Sequence, residues 1–279
     1  YDALMASIRP TEKLPGKKAA IIGGGPTGIA AAYFLARGGV QTTIFEREEK
    51  LGGVPRYVIP AFRISDEALD KDVALMERLG VEVKCGAPAP SVAELKKMGY
   101  THILLATGAW QAGELGIPGN VRGVIAWMKE MKQQVKPCLE GHVVVVGAGN
   151  TAMDAARVAK RMGAASSTIV YRRTKKEMPA DEHELKLAID EGVNLVELAA
   201  PVEQKDGKLI CNQMKLGEPD ASGRRSPVAT GETFEIPCDL VLSAIGEKVD
   251  AKLMAENGIE MGRKGPAFQT NVENVWSAG

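Results

Sequence analysis

No cysteine of this chain has a partner near it in sequence. Cys85, Cys138, Cys211 and Cys238 are scattered singly, and the absence of a C-x-x-C or similar pair argues against a zinc site, an iron-sulfur cluster bound wholly within the chain, and a redox disulfide. Four reduced thiols packed as small apolar residues are expected instead. A surplus of either charge is also missing, since 35 Lys and Arg balance 35 Asp and Glu. With a pI near 7.0, the chain has no basic face to offer nucleic acid or an anionic membrane. Apolar runs are only strand-sized and no signal peptide precedes the first of them, so a soluble cytoplasmic protein without membrane insertion is expected. Histidine is scarce, at three: His102, His142 and His183. No paired carboxylates on one helix and no Ser-His-Asp ordering accompany them, so no acid, base, nucleophile or metal ligand is nominated, and His102 is read as a structural imidazole among strand residues.

What is present is a long stretch from Ala19 to Glu46, AAIIGGGPTGIAAAYFLARGGVQTTIFE. A buried strand runs into Gly23-x-Gly25-x-x-Gly28, a helix over Ile29 to Arg37 follows, and a second strand, Gln41 to Phe45, ends on Glu46. The first glycine makes a tight turn, the second lets backbone reach a pyrophosphate, and the third lets helix and strand pack closely. The helix N-terminus faces the phosphates with free N–H groups and partial positive charge. Glu46 stands where such a unit places the carboxylate that binds an adenosine ribose. An ordinary tight strand-to-helix turn would share the glycines but not the acid at this distance.

At 279 residues the chain is long enough for two modest domains, and a second unit repeats the first. Val143 to Val146 runs into Gly147-x-Gly149-x-x-Ala152 and a helix from Thr151 to Met162, and the next strand, Thr168 to Tyr171, ends on Arg172-Arg173. An acid at this place bonds a free ribose 2'-hydroxyl, whereas guanidinium groups pair with a 2'-phosphate, so the second unit is expected to prefer NADP over NAD. The alternative for the arginines is a solvated charge cluster. Between the units, Leu51 to Ile64 carries adjacent glycines and two prolines and is read as a shaped loop beside the first turn, either resting on a ligand or merely connecting. A helix capped by Ser65 and stopped at Gly80, a strand Val81 to Cys85, a helix Val92 to Met98 and a buried strand Thr101 to Leu105 follow. Later, Lys175 to Pro179 reads as a loop and Asp181 to Glu191 as a charged helix. Leu195 to Glu235 reads as short alternating strands with turns at Asp206-Gly207, Ser222-Gly223 and Thr230-Gly231, an antiparallel flap. Asp239 to Ala244 is a further buried strand, closed by Ile245-Gly246, and a helical stretch around Ala251 to Asn257 leads to the last strand-like run at Val275.

Together these motifs resemble one family, the small-subunit glutamate synthase flavoproteins. Their relatives include the corresponding part of dihydropyrimidine dehydrogenase and the electron-transfer subunits of ferredoxin-NADP reductases and of proteins assigned as selenate reductases. The likeness covers nearly everything from Lys17 to Gly279. It is most specific at Gly52 to Arg63 (GGVPRYVIPAFR), Gly147 to Asp154 (GAGNTAMD), Tyr171 to Ala180 (YRRTKKEMPA) and Leu216 to Pro227 (LGEPDASGRRSP). The resemblance implies an α/β protein of two nested Rossmann-like dinucleotide-binding domains with parallel sheets, helices and a small antiparallel flap. Residues 1–18 would be a lead-in, 19–112 and 246–279 a discontinuous FAD-binding domain, and 113–245 an inserted NADP-binding domain. By analogy, Gly23, Gly25, Pro26, Thr27, Gly28 and Glu46 would hold the ADP part of FAD. Gly53 and Arg56, with the backbone around Ile59, would lie near the pyrophosphate and flavin, and Thr107 and Gly108 would mark the exit toward the second domain. Gly147, Gly149, Asn150, Thr151, Arg172 and Arg173 would hold NADP, and Ile245-Gly246 would mark the return.

The resulting expectation is an NADP-linked FAD oxidoreductase module that passes electrons to iron-sulfur clusters outside this chain, with the substrate chemistry on a partner. The rival of another class is a dinucleotide-binding scaffold or sensor that never turns over. The family's third flavin motif continues Ala-Gly into an Asp and a further helix, and a cysteine-rich helical domain precedes the flavin domain. Neither is in this sequence, so a piece of a larger polypeptide that retains FAD poorly by itself is expected.

Overall fold

The computed structural model describes residues 2–221, 223, 225–261 and 268–278. Ser222 of the expected Ser222-Gly223 turn, residues 265–267 of the segment before the last strand, and Gly279 lie outside these. The chain divides into two compact units, Tyr1–Ala109 with Val249–Gly279, and Trp110–Lys248.

The first unit opens with α1 (Asp2–Ser7), β1 (Lys18–Ile22), α2 (Pro26–Arg37), β2 (Gln41–Phe45), α3 (Gly53–Tyr57), α4 (Asp66–Arg78), β3 (Glu82–Lys84), α5 (Val92–Lys97) and β4 (His102–Leu105). β1 pairs in parallel with β2 on one side and β4 on the other, Ile21 standing opposite Ile44 and Leu104. Its Ala-Ala-Ile-Ile run is buried throughout because helices cover both faces. Ile21 and Ile44 meet Ala32 and Ala36 of α2 and Leu75 and Met76 of α4. Ala20, Ile22, Ile103 and Leu105 meet Val92 and Leu95 of α5 on the opposite face.

Three local readings change. α2 begins at Pro26 rather than Ile29, because proline at the first helical position lacks only an N–H that would be unbonded there anyway. The stretch read as irregular loop contains the single turn α3, and Pro55 fits in it for a similar reason, being within the first turn. The lead-in is docked: Met5 and Ile8 pack on the α2–α4 core, and Leu14 N–H donates to Gly39 O at 2.7 Å.

The second unit holds β5 (Gln111–Ala112), β6 (Val121–Gly123), α6 (Val124–Lys132), β7 (His142–Val146), α7 (Asn150–Arg161), β8 (Ser166–Val170), α8 (Glu182–Asp190) and β9 (Asn194–Val196). It continues through β10 (Ala199–Lys205), β11 (Lys208–Pro219), β12 (Arg225–Pro237), β13 (Leu240–Ser243) and β14 (Glu247–Lys248). Its parallel sheet runs β9-β8-β7-β13-β6, and β10-β11-β12 form the antiparallel flap. Asp206-Gly207 is the hairpin turn expected of it, both residues having positive φ. Thr230-Gly231 is not a turn: it lies inside β12, at a bulge where the pairing jumps from Asn212–Thr233 to Met214–Ala229. β5 and β14 pair as a two-stranded ribbon, Glu247 opposite Ala112, which draws both chain crossings into this unit and sets its limits three residues outside 113–245.

The chain then returns through α9 (Ala251–Glu256) to β15 (Val275–Ser277), which lies parallel to β4. The first sheet is therefore β3-β2-β1-β4-β15, the same plan as the second. In both, the strand before the glycine turn is central, with its successors on one side and a later strand on the other. That reversal opens a crevice at the carboxyl ends of the strands, where ligands of such sheets bind.

Candidate functional site

At the end of β1 the chain turns at Gly23, whose φ is 109°. A Cβ here would stand 2.2 Å from Ala106 O, at the end of β4, and 3.2 Å from Thr107 Cα. Gly28, in the first turn of α2, faces the same constraint, since a Cβ would lie 1.9 Å from Gly23 O. Both glycines are therefore required by the protein's own packing. Gly25 is not. It is the N-cap of α2 with extended φ/ψ and no side-chain cap, and the nearest atom to an added Cβ is Gly53 Cα at 3.8 Å. Space beside a helix N-terminus that the fold leaves open suits a pyrophosphate. Pro26 and Thr27 continue that first turn, with Thr27 half-buried.

Glu46 follows β2 and is 6% exposed. Its Oε2 accepts from Gly24 N–H at 2.6 Å and its Oε1 from Glu48 N–H at 2.9 Å, so the carboxylate is aimed by backbone, with a lone pair left on each oxygen for a hydroxyl. Gly52 N–H donates to Gly24 O, and a Cβ on Gly53, whose φ is 57°, would meet Gly25 Cα at 2.7 Å. Gly23, Gly25, Gly28, Glu46, Gly53 and Thr107 thus converge on one place, with Gly108, at φ 68°, next in the chain.

Arg56 is placed differently from its neighbours. Its side chain is 5% exposed, with Nε donating to Leu51 O at 2.5 Å and Nη2 to Asp70 at 2.6 Å. Nη1 lies 3.8 Å from Asp66 without a hydrogen bond. The guanidinium straps the Gly52-Gly53 turn to α4, a role that Leu51 and Asp70 share and that no local pattern announced. Ile59 closes α3, its N–H donating to Val54 O at 3.0 Å.

The second unit repeats this construction. Gly147, at φ 146°, is pressed against Ala244, a Cβ falling 2.2 Å from Ala244 O, as Gly23 is against Ala106. Ala152, fully buried, replaces the third glycine. Gly149 is the uncapped N-cap of α7, and nothing lies within 4 Å of an added Cβ. Thr151 is half-buried in the first turn, and Asn150 Oδ1 accepts from Asp181 N–H at 3.1 Å. Ala180 N–H donates to Ala148 O, so the segment after the arginines folds back on the glycine turn. Arg172 is exposed just beyond β8, and Arg173 is half-buried with its Nε enclosed and without a hydrogen-bond partner. The Thr174–Glu177 capping box holds the next turn, and Thr174 is the main reason the Glu177 carboxyl lies below its ordinary range. Ile245 is 49% exposed and Gly246, at φ 118°, has open space around it, both directly after the Ala244 contact.

The remaining chemistry-bearing groups sit elsewhere. His102 stacks on Trp276 with ring centroids 5.6 Å apart. Both line an apolar cavity of about 520 Å³ with Leu14, Ala19 and Phe34. That cavity borders the opening residues of β1 and β4, the opposite end of the strands from the glycine turn. Burial pushes the Cys211 thiol up to about 12 and the Cys238 thiol up to about 11, so both are protonated core residues, whereas Cys85 is half-buried and Cys138 exposed. Among the described residues no group of His, Cys, Asp and Glu could hold a metal ion, and no helix is long and apolar enough to cross a membrane.

Two parallel sheets of one plan, each with a glycine turn at its switch point, place the chain in the class of doubly wound dinucleotide-binding folds. The sequence matches the Pyridine nucleotide-disulphide oxidoreductase family over residues 17–279, and the chain belongs to that family. It is 41% identical to the protein called YgfK in Escherichia coli K12 over 252 residues, covering 88% of this chain and 24% of that one. To the glutamate synthase [NADPH] small chain of Halomonas elongata it is 34% identical over 296 residues, covering 94% and 62%, which bears out the resemblance in the sequence. The chain thus spans 24% and 62% of the length of these two relatives. A solved structure of a mutant of FprA from Mycobacterium tuberculosis superposes with a TM-score of 0.78 at 19% identity, over 94% of this chain and 78% of that one, which shows a shared fold.

Proposed function

We propose that the chain is an NADP-linked FAD oxidoreductase module of a cytoplasmic assembly. It would pass electrons between NADPH, flavin and iron-sulfur centres on another domain or subunit, where a partner carries the substrate half of the reaction. The observation that carries this reading is the pair of open, uncapped glycine N-caps, Gly25 and Gly149. One is paired with a buried acid and the other with two arginines, one of which has an enclosed Nε lacking an acceptor. The [NADPH] and small-chain wording of the Halomonas relative's name supports the nucleotide and the existence of a larger partner.

In the first unit, Gly23, Gly25, Pro26, Thr27 and Gly28 would hold a pyrophosphate on the α2 N-terminus, and Glu46 would accept from the ribose. Gly53 would extend that cradle, Arg56 would keep it in place, and Ile59, Thr107 and Gly108 would border its far end. In the second unit, Gly147, Gly149, Asn150 and Thr151 would take the pyrophosphate of NADP, with Ile245 and Gly246 at the edge. Arg172 and Arg173 would pair with the 2'-phosphate. When bound, the nicotinamide and flavin rings supply the hydride and one-electron chemistry themselves. The chain's residues bind, orient and exclude water, which agrees with the scarcity of histidine.

Equilibrium titration of the protein with FAD and with NADPH, separately and together, tests the two-site assignment. Saturating FAD should leave NADPH binding in place and Gly149→Ala should weaken only NADPH; competition between the two for one site contradicts it.

A further inference from the structure

The segment bearing Arg173 is held from below by backbone in an unusual conformation. Tyr171 N–H donates to Val196 O, Ala199 N–H to Tyr171 O, and Leu198 N–H to Arg173 O, each at 3.0 Å. Leu198 itself is left-handed, at φ 53°, a conformation that a branched non-glycine residue keeps only when its surroundings impose it. The Leu198 carbonyl is held from the flap. Gln213 Nε2 donates to Leu198 O and to Met214 O, both at 3.2 Å, while Met214 N–H donates to Leu198 O at 2.7 Å. Gln213 stands opposite the β12 bulge, where Thr230 Oγ1 donates to Gln213 O at 3.1 Å. Both ends of the Leu198 residue are therefore clamped, one by the flap and one to Arg173.

We propose that Gln213 is a positioning residue for nucleotide selectivity. Its carboxamide, set by the bulge, keeps Leu198 left-handed, and Leu198 fixes the backbone from which the half-buried Arg173 presents its guanidinium to a 2'-phosphate. The inference rests on the NADP reading of the second unit and gives the flap a task in it. A nucleotide lacking the 2'-phosphate uses the glycine turn but not Arg173, so its binding is indifferent to the clamp.

The test is equilibrium binding of NADPH and NADH, at one ionic strength, to the parent protein and to Gln213→Leu and Gln213→Glu. The second variant keeps the shape while replacing the donor with a carboxylate oxygen that Leu198 O repels. Each should weaken NADPH about tenfold and NADH less than about twofold. Adding Leu198→Asn, a residue tolerant of the left-handed region, to Gln213→Leu should recover most of the NADPH affinity. A purely structural role would lower both nucleotides together and would not be rescued, so parallel losses overturn the proposal. Unchanged NADPH binding in both Gln213 variants, with Arg173→Ala still selectively impaired, overturns it while leaving the NADP reading intact. Equal losses of NADPH and NADH in Arg173→Ala remove both.

Discussion

The backbone amide of Gly24 donates to Glu46 Oε2 at 2.6 Å, tying the acid at the end of β2 to the glycine turn at the end of β1. With Glu48 N–H on the other oxygen, the carboxylate serves two buried or half-buried backbone donors at once. Glu46→Gln offers only one acceptor oxygen to those two N–H groups. It should lower unfolding free energy by about 1–3 kcal/mol and weaken FAD as well. Urea unfolding with and without FAD checks both; a variant as stable as the parent contradicts the arrangement.

The glycines of the two turns divide into those whose added Cβ the fold obstructs and those whose added Cβ it leaves room for. Gly28→Ala, with its Cβ 1.9 Å from Gly23 O, should destabilise the protein by about 3 kcal/mol or more. Gly149→Ala meets nothing within 4 Å and should leave stability within about 1 kcal/mol of the parent while weakening NADPH at least about tenfold. Thermal unfolding and nucleotide titration of the two variants should give opposite patterns.

Replacing Arg172 and Arg173 by Ala together should weaken NADPH at least about tenfold more than NADH, because charge-assisted bonds to the 2'-phosphate are lost and the rest of the nucleotide keeps its partners. Binding titrations at low and high salt check it. Equal losses for the two nucleotides would return the arginines to a solvated charge cluster.

Glu191 links α8 to α7, accepting from Arg157 and Arg161 at 2.6 and 2.7 Å. Those partners, Arg161 first, hold its carboxyl down at about 2. Because the folded value lies below the ordinary carboxylate value, the stabilisation is complete above roughly pH 5 and is lost as pH falls toward 2. Glu191→Gln should therefore be less stable than the parent near pH 7, with the gap closing as pH falls through that window. Urea midpoints at a series of pH values measure it; a constant gap contradicts the link.

Much of this architecture could be read from the residues. Gly23, Gly28 and Gly147 were legible because only glycine tolerates the close approaches found there, and Glu46 because the span of one strand, helix and strand sets its distance from the turn. Other parts depend on contacts distant in the chain. The β5–β14 ribbon consists of two-residue strands, too short to show a pattern, joined across the whole second unit. The next elements of that unit, β6 and α6, have no motif to announce them, although Val124, Ile125, Trp127, Met128 and Met131 of α6 are buried. Thr230-Gly231 has turn composition, yet the register of β11 makes it a bulge within β12. The Leu198 conformation and its Gln213 clamp follow from that same bulge, so no local signal could have marked either residue. Arg56 could be placed beside the first glycine turn, but not read as a strap whose partners, Leu51 and Asp70, come from the preceding loop and α4.

The most direct test of the whole account is anaerobic reduction of the protein reconstituted with saturating FAD, followed by flavin absorbance as nucleotide is added. The account predicts that NADPH bleaches the flavin at a much lower concentration than NADH, and that Arg172→Ala with Arg173→Ala abolishes the difference. A protein that binds both FAD and NADPH while its flavin stays oxidised would contradict it.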